Sequence, residues 1–234
     1  MRLSGIQPFT MIDFPEKIAC VVFTPGCPFR CGYWHNPEFV LPEKLKEMKR
    51  DFIPDKTFFN FLDERRGLLE GVVITGGEPT IMKDLVEFCE KIKEKGYVIK
   101  LDTNGINPEV IALLINNRLI DYIAIDVKTS VLQYKSLCGD GAKGEKVAES
   151  IKVVMASGIE YEFRSTLIKK IHTQEILEDM AEMVKGAKKL YLQSFRPAIT
   201  LDPKFSKHKP FSQKEVEGIR DDIFLPKVVH VEIR

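Results

Sequence analysis

The sequence predicts an α/β protein whose sheet is mostly parallel, in the form of a partial, open β/α barrel of about six parallel strands. Three observations predict it. Short apolar runs rich in β-formers, at residues 18–23, 72–75, 97–101, 122–127, 161–167, 190–193 and 228–233, alternate with stretches of helical period. The polar residues that follow these runs fall at their carboxyl ends. The chain of 234 residues suits one well-buried domain, spanning 1–234 with a C-terminal extension at 197–234.

Each helix has its own signature. Ile81, Met82, Leu85, Val86, Phe88, Cys89 and Ile92 share a face in a segment that stops near Gly96. Asn107, Pro108 and Glu109 read as N-cap, first-turn proline and first-turn acid of a helix through Leu114. Val147, Ile151, Val154 and Met155 mark the next helix, and Ile176, Leu177, Met180, Met183 and Val184 another. A last one is expected from Ser212 to about Asp222. Residues 43–55 are charged and expected as an exposed excursion, 197–210 as a long loop, and Phe58, Phe61 and Leu62 as core.

Lys and Arg number 35 against 34 Asp and Glu, so no basic field exists to attract nucleic acid or a membrane surface. The first residues lack the apolar core of a signal peptide, and no run reaches membrane-spanning length; a soluble, cytoplasmic protein is expected. Five cysteines, two of them clustered, fit a reducing compartment and metal chemistry better than a disulfide framework.

The cluster is Cys27-Pro-Phe-Arg-Cys31-Gly-Tyr33-Trp34-His35-Asn36, within a loop at 25–38 that follows the first strand. In outline this is a metal loop. Three further strand ends carry Gly76-Gly77-Glu78-Pro79, Asp102-Thr103-Asn104-Gly105 and Asp126-Val127-Lys128. In parallel sheets the carboxyl edge is where sites are built, which sends these motifs and the cysteine loop toward one mouth. In the fifth strand Glu162, Arg164 and Thr166 alternate with apolar residues and share one face. Plainer readings stand beside these. Cys20 and Cys89 read as buried small hydrophobes, Cys138 as a thiol in a turn-rich loop with no local partner, a swing toward the site being the minor alternative, and Asp102 and Asp126 as caps or turn formers. Lys128 and Arg164 read as members of structural ion pairs, and Trp34 as a cap. Cys27, Cys31 and His35 also permit a small zinc site.

The cysteine loop resembles the cluster loop of radical S-adenosylmethionine (SAM) enzymes, in particular the activases that install a glycyl radical. Their pattern is Cys-x-x-x-Cys-x-aromatic-Cys-His-Asn; here Trp34 stands at the third cysteine. An indole has an N–H donor and no lone pair for iron. The resemblance implies SAM, a [4Fe-4S] cluster on Cys27 and Cys31 that Trp34 leaves labile or absent, and in some relatives a monovalent cation. Its implied cofactor-binding set is Tyr33, Gly76, Gly77, Glu78, Asp102, Thr103, Asn104, Asp126, Lys128, Arg164 and Gln193. Gln193-Ser194-Phe195-Arg196-Pro197 and the opening Gly5-Ile6-Gln7-Pro8-Phe9 with Asp13-Phe14-Pro15 are similar to the activases of anaerobic ribonucleotide reductase. The implied activity is a 5′-deoxyadenosyl radical that takes hydrogen from a glycine of a glycyl-radical enzyme, with flavodoxin or ferredoxin as reductant. A cluster-free SAM- or nucleotide-binding sensor or scaffold, and a small zinc protein, are the other readings.

Overall fold

The computed structural model describes residues 1–34, 40–48, 51–197 and 200–234. His35, and with it the zinc reading, lies outside the described residues. The chain divides into two compact units, Met1–Pro28 with Glu38–Thr103 and Glu109–Ile123, and Phe29–Pro37 with Asn104–Pro108 and Ala124–Arg234.

In the first unit β1 (Arg2–Leu3) pairs antiparallel with β4 (Ile53–Pro54). The larger sheet there runs in the order β2 (Gly5–Thr10), β3 (Ala19–Thr24), β5 (Gly71–Gly76), β6 (Val98–Thr103). β2 is antiparallel to β3, whereas β3, β5 and β6 are parallel. Pro8 shows why β2 is exposed: a residue with no N–H cannot donate to a second neighbour and suits an edge. Helices α1 (Pro42–Met48), α2 (Asp55–Glu64), α3 (Leu85–Glu94) and α4 (Pro108–Asn116) occupy the connections. Phe58 and Leu62 of α2 and Phe88, Cys89 and Ile92 of α3 are buried, with Phe58 and Phe88 stacked at 5.5 Å. Phe14, Ala19, Val21, Val73 and Tyr122 form a further apolar cluster.

The second unit holds the larger part of β7 (Tyr122–Asp126), then β8 (Glu160–Leu167), β9 (Lys189–Ser194) and β10 (His230–Ile233), in that order. β8, β9 and β10 run parallel. Its helices are α5 (Tyr134–Cys138), α6 (Gly144–Ala156), α7 (Gln174–Met183) and α8 (Gln213–Ile219). The result is an α/β fold with a mostly parallel sheet. Among the described residues no helix is long and apolar enough to cross a membrane.

Four boundaries differ from expectation. α3 starts at Leu85, since Pro79–Ile81 form a separate 3-10 turn capped by Glu78. The charged segment contains α1 as well as β4. Pro203–Lys207 within the expected loop form a 3-10 turn. α8 ends at Ile219 and passes into a π-helical turn, Arg220–Phe224.

Candidate functional site

The first unit brings two loops into backbone contact. Gly77 N donates to Thr24 O and Glu78 N to Gly26 O, both at 2.8 Å. A Cβ on Gly77 would stand 1.9 Å from Gly26 O, and one on Gly76 2.3 Å from Thr24 N with φ at +117°. Only glycine permits this approach. The paired glycines thus seat the loop that carries Cys27, a role the sequence reading, which assigned them to ligand approach, did not anticipate.

Glu78 is fully buried. Its Oε1 accepts from Thr80 N at 3.0 Å and from the hydroxyls of Thr80 and Thr103 at 2.6 Å each. A carboxylate taken out of water needs such donors, and these are neutral ones on its own unit. Asp102 likewise has a committed partner: Lys100, two residues back on the same strand face, reaches it at 2.5 Å, with side-chain exposures of 2% and 12%. Lys100 was missed. The lysine–aspartate alternation within an otherwise apolar run was its only signal.

The second unit encloses a cavity of about 280 Å³ lined by Tyr33, Trp34, Asp126, Val127, Lys128, Arg164, Thr166 and Gln193. Asp126, at the end of β7, accepts from Arg164 Nε at 2.9 Å and from Lys128 Nζ at 3.4 Å. Thr166 donates to Gln193 Oε1 at 3.4 Å. Burial pushes the Asp126 carboxyl up, but the two cations outweigh it and hold the group down at about 2. Burial works against the Lys128 ammonium too, yet Tyr33 and Asp126 keep its pKa well above the ordinary value. Arg164 also lies 3.8 Å from the buried Glu162 carboxylate, so the two cations of this cluster face two acidic side chains.

Lys128 is fixed through its backbone. Its N–H donates to Tyr134 Oη at 3.1 Å, and its carbonyl lies 2.9 Å from His172 Nε2. His172 Nδ1 accepts from Ile168 N at 2.8 Å, so Nε2 bears the proton and donates to Lys128 O. Burial lowers the His172 pKa and keeps the ring neutral. His172 was also missed by sequence reasoning, because it lies 44 residues from the carbonyl it holds. Asn104 accepts from Ile106 N at 3.0 Å and forms a turn, and Ser150 donates to Gly105 O at 2.7 Å.

Trp34 contributes an indole beneath Lys128, whose Nζ is 5.6 Å from the ring centre. Its Nε1 is buried without a hydrogen-bond partner. The cavity lining of a carboxylate, two cations, a carboxamide and two aromatic rings suits a polar molecule. The sulfur side differs. Cys31 is buried and Cys27 partly exposed, and Trp34 adds no lone pair. Among the described residues no three His, Cys, Asp or Glu side chains gather as a metal site. The motif's own donors do not fit a cluster held by three cysteines. Cys20 and Cys89 are buried thiols pushed up to about 12 by burial, as expected for inert core cysteines.

The radical SAM superfamily model matches residues 21–184. A putative glycyl-radical enzyme activating enzyme of Methanocaldococcus jannaschii is 37% identical over 210 residues, covering 88% of this chain and 84% of its own. The pyruvate formate-lyase-activating enzyme of Clostridium pasteurianum is 26% identical over 215 residues, covering 86% and 83%. Among solved structures, Streptococcus suis SuiB bound to S-adenosylmethionine has a TM-score of 0.64 at 15% identity, covering 92% of this chain and 51% of that one. A domain of the pyruvate-formate lyase-activating enzyme from Bacteroides vulgatus has 0.54 at 17%, covering 68% and 98%. These two share the fold. The chain belongs to the radical SAM superfamily, whose cofactors are SAM and a [4Fe-4S] cluster, and is homologous to glycyl-radical enzyme activating enzymes.

Proposed function

We propose that the protein is a glycyl-radical enzyme activase that binds SAM in the cavity of its second unit. The observation that carries this reading is the homology along nearly the whole chain to a glycyl-radical enzyme activating enzyme. Asp126, Lys128, Arg164, Gln193 and Tyr33 would hold SAM, with the Arg164 guanidinium suited to its carboxylate. Glu78, Asp102, Thr103 and Asn104 are assigned to the same cofactor on motif resemblance, and Cys27 and Cys31 to the cluster. Bound SAM would supply the 5′-deoxyadenosyl radical, by one-electron reduction of its sulfonium and release of methionine, for hydrogen abstraction from a glycine Cα of the partner. The chain's own residues orient that group and exclude water.

The finer assignments rest on sequence. Gln193-Ser194-Phe195-Arg196-Pro197 and the opening segment favour anaerobic ribonucleotide reductase as the partner. Flavodoxin or ferredoxin is the reductant and the cytoplasm the location under this reading. Trp34 favours one competing reading, a cluster-free relative that binds SAM without cleaving it.

Equilibrium dialysis with labelled SAM tests the binding site. Truncating one partner of a buried charge pair costs about 2 kcal/mol or more, roughly 30-fold, so Arg164→Ala should weaken binding by at least that factor. Unchanged binding would remove the cavity from the reading. Formation of 5′-deoxyadenosine under anaerobic reduction then separates the activase from the cluster-free relative, which would bind SAM and release none.

A further inference from the structure

The strand that brings Arg164 to the cavity carries a second charged residue on the same face. Glu162 lies two positions back on β8 and is buried, 2% exposed. Its Oε1 is approached by two guanidinium groups, Arg164 Nη1 at 3.8 Å and Arg234 Nη1 at 3.9 Å. Arg164 also meets Asp126 through Nε at 2.9 Å, so this one cation serves two carboxylates.

Arg234 is held for its contact by backbone and ring. β10 runs parallel to β9 with Ile233 beside Leu192, and Arg234 N donates to Leu192 O at 2.9 Å, which carries the pairing one residue past the strand. The Arg234 guanidinium lies 3.4 Å from the centre of the Tyr191 ring, and Tyr191 is the in-register neighbour of Arg164 on β9. A planar cation stacked on a ring is already ordered when it meets a carboxylate. Arg234 thus reaches Glu162 from two strands away, with its own side chain 42% exposed.

A guanidinium that serves two carboxylates has less attraction to offer a third anion. A second cation on Glu162 shares that carboxylate and loosens its hold on Arg164. With Arg234 gone, the buried Glu162 would bear more strongly on Arg164, since a buried charge needs its partners. We propose that Arg234 is a positioning residue of the cofactor cavity: by sharing the charge of Glu162 it keeps the Arg164 guanidinium available to the carboxylate of the ligand. This rests on the reading that the cavity holds SAM, and the test separates the two claims.

Equilibrium dialysis compares SAM with decarboxylated SAM, which keeps the nucleoside, sulfonium and amine and lacks only the carboxylate. Both are measured on the unaltered chain, Arg234→Gln, Arg234→Lys, Glu162→Gln and the double variant Glu162→Gln/Arg234→Gln. Arg234→Gln should weaken SAM binding about fivefold, the upper end for an ion pair with one partner partly exposed, and leave decarboxylated SAM within about twofold. Arg234→Lys keeps the charge and should recover most of the SAM affinity. In the Glu162→Gln background, removing Arg234 should change SAM binding by less than about twofold, because the residue acts through that carboxylate.

Equal losses for both ligands in Arg234→Gln would show general damage at the strand edge and overturn the proposal. A loss that persists undiminished in the Glu162→Gln background does the same, as does SAM binding by Arg234→Gln within about twofold of the unaltered chain. Each of these leaves the SAM reading standing. No SAM binding by the unaltered chain overturns both. Where Glu162→Gln does not fold, the Arg234 variants decide: a loss confined to SAM and recovered by lysine supports the proposal, and a loss shared by both ligands or not recovered by lysine overturns it.

Discussion

Two carboxylates at the carboxyl ends of strands behave differently, and the difference separates scaffold from site. Glu78, in the first unit, is wholly buried and held by a backbone N–H and two threonine hydroxyls. Asp126, in the second, is held by two cations and lines a cavity, its side chain 29% exposed. The donors that reach Glu78 Oε1 are neutral ones, a backbone N–H and two hydroxyls. Around Asp126 the partners are charged: Lys128 and Arg164 hold it, and Arg164 also reaches the buried Glu162 at 3.8 Å. Both residues were assigned to one cofactor by motif. Their surroundings suggest that Glu78 also has a structural duty, the capping of the turn at Pro79–Ile81 and the support of the glycine pair before it.

The largest effect should come from the glycine pair. Gly77→Ala puts a Cβ against the Gly26 carbonyl, a backbone atom that cannot swing aside, and should cost about 3 kcal/mol or more in urea unfolding. A loss below about 1 kcal/mol would mean the Thr24–Gly26 loop is not seated by the glycines and would weaken the contrast between the units. Lys100→Met leaves the Asp102 carboxylate buried without its cation, and should cost about 3 kcal/mol. Replacing both residues by apolar ones of similar size should recover most of it. If it does not, Asp102 has a second partner that the pair alone does not explain.

Acid titration sharpens the comparison at Asp126. Its carboxyl lies at about 2 in the folded chain against an ordinary value of 3.8. The lowered value means that its contribution is present above the ordinary pKa and is lost as pH falls through the folded one. Between pH 3.8 and about 2 the unaltered chain should lose about 2 kcal/mol that Asp126→Asn does not lose. Parallel acid profiles for the two proteins would show that Asp126 is not held by its cations.

The smallest effect is expected at His172. A neutral buried ring with a lowered pKa makes the unfolded chain the better proton binder, so stability falls as pH drops below the ordinary value of 6.5. His172→Gln should flatten the melting profile over that range while leaving the Asp126 effect in place. A profile still sloping there would place the responsible group elsewhere.

Much of this architecture was legible in the chain itself. Strand runs ending in Gly76, Thr103 and Asp126 were readable because apolar β-branched residues stop where glycine and carboxamide or carboxylate residues begin. β2 was not, since Gly5, Pro8 and an exposed face lack the apolar signal, and it is held by pairing with β3. Of the cavity lining, Tyr33, Asp126, Lys128, Arg164 and Gln193 were named from motifs. Thr166 was noted only for sharing a strand face with Arg164. The residues that position them, Tyr134 and His172, carry no motif and lie on other segments.

From sequence alone came the family resemblance, the alternation of strand and helix, and the presence of Trp34 where the resembled motif has a cysteine, because each is a matter of residue type and order along the chain. Tertiary structure alone decided that Lys100 neutralises Asp102, that the glycines seat a neighbouring loop, and that Arg30 N donates to the Cys138 carbonyl. Charge neutralisation and close approach depend on distances of a few ångströms between side chains, and spacing along a chain does not report those distances.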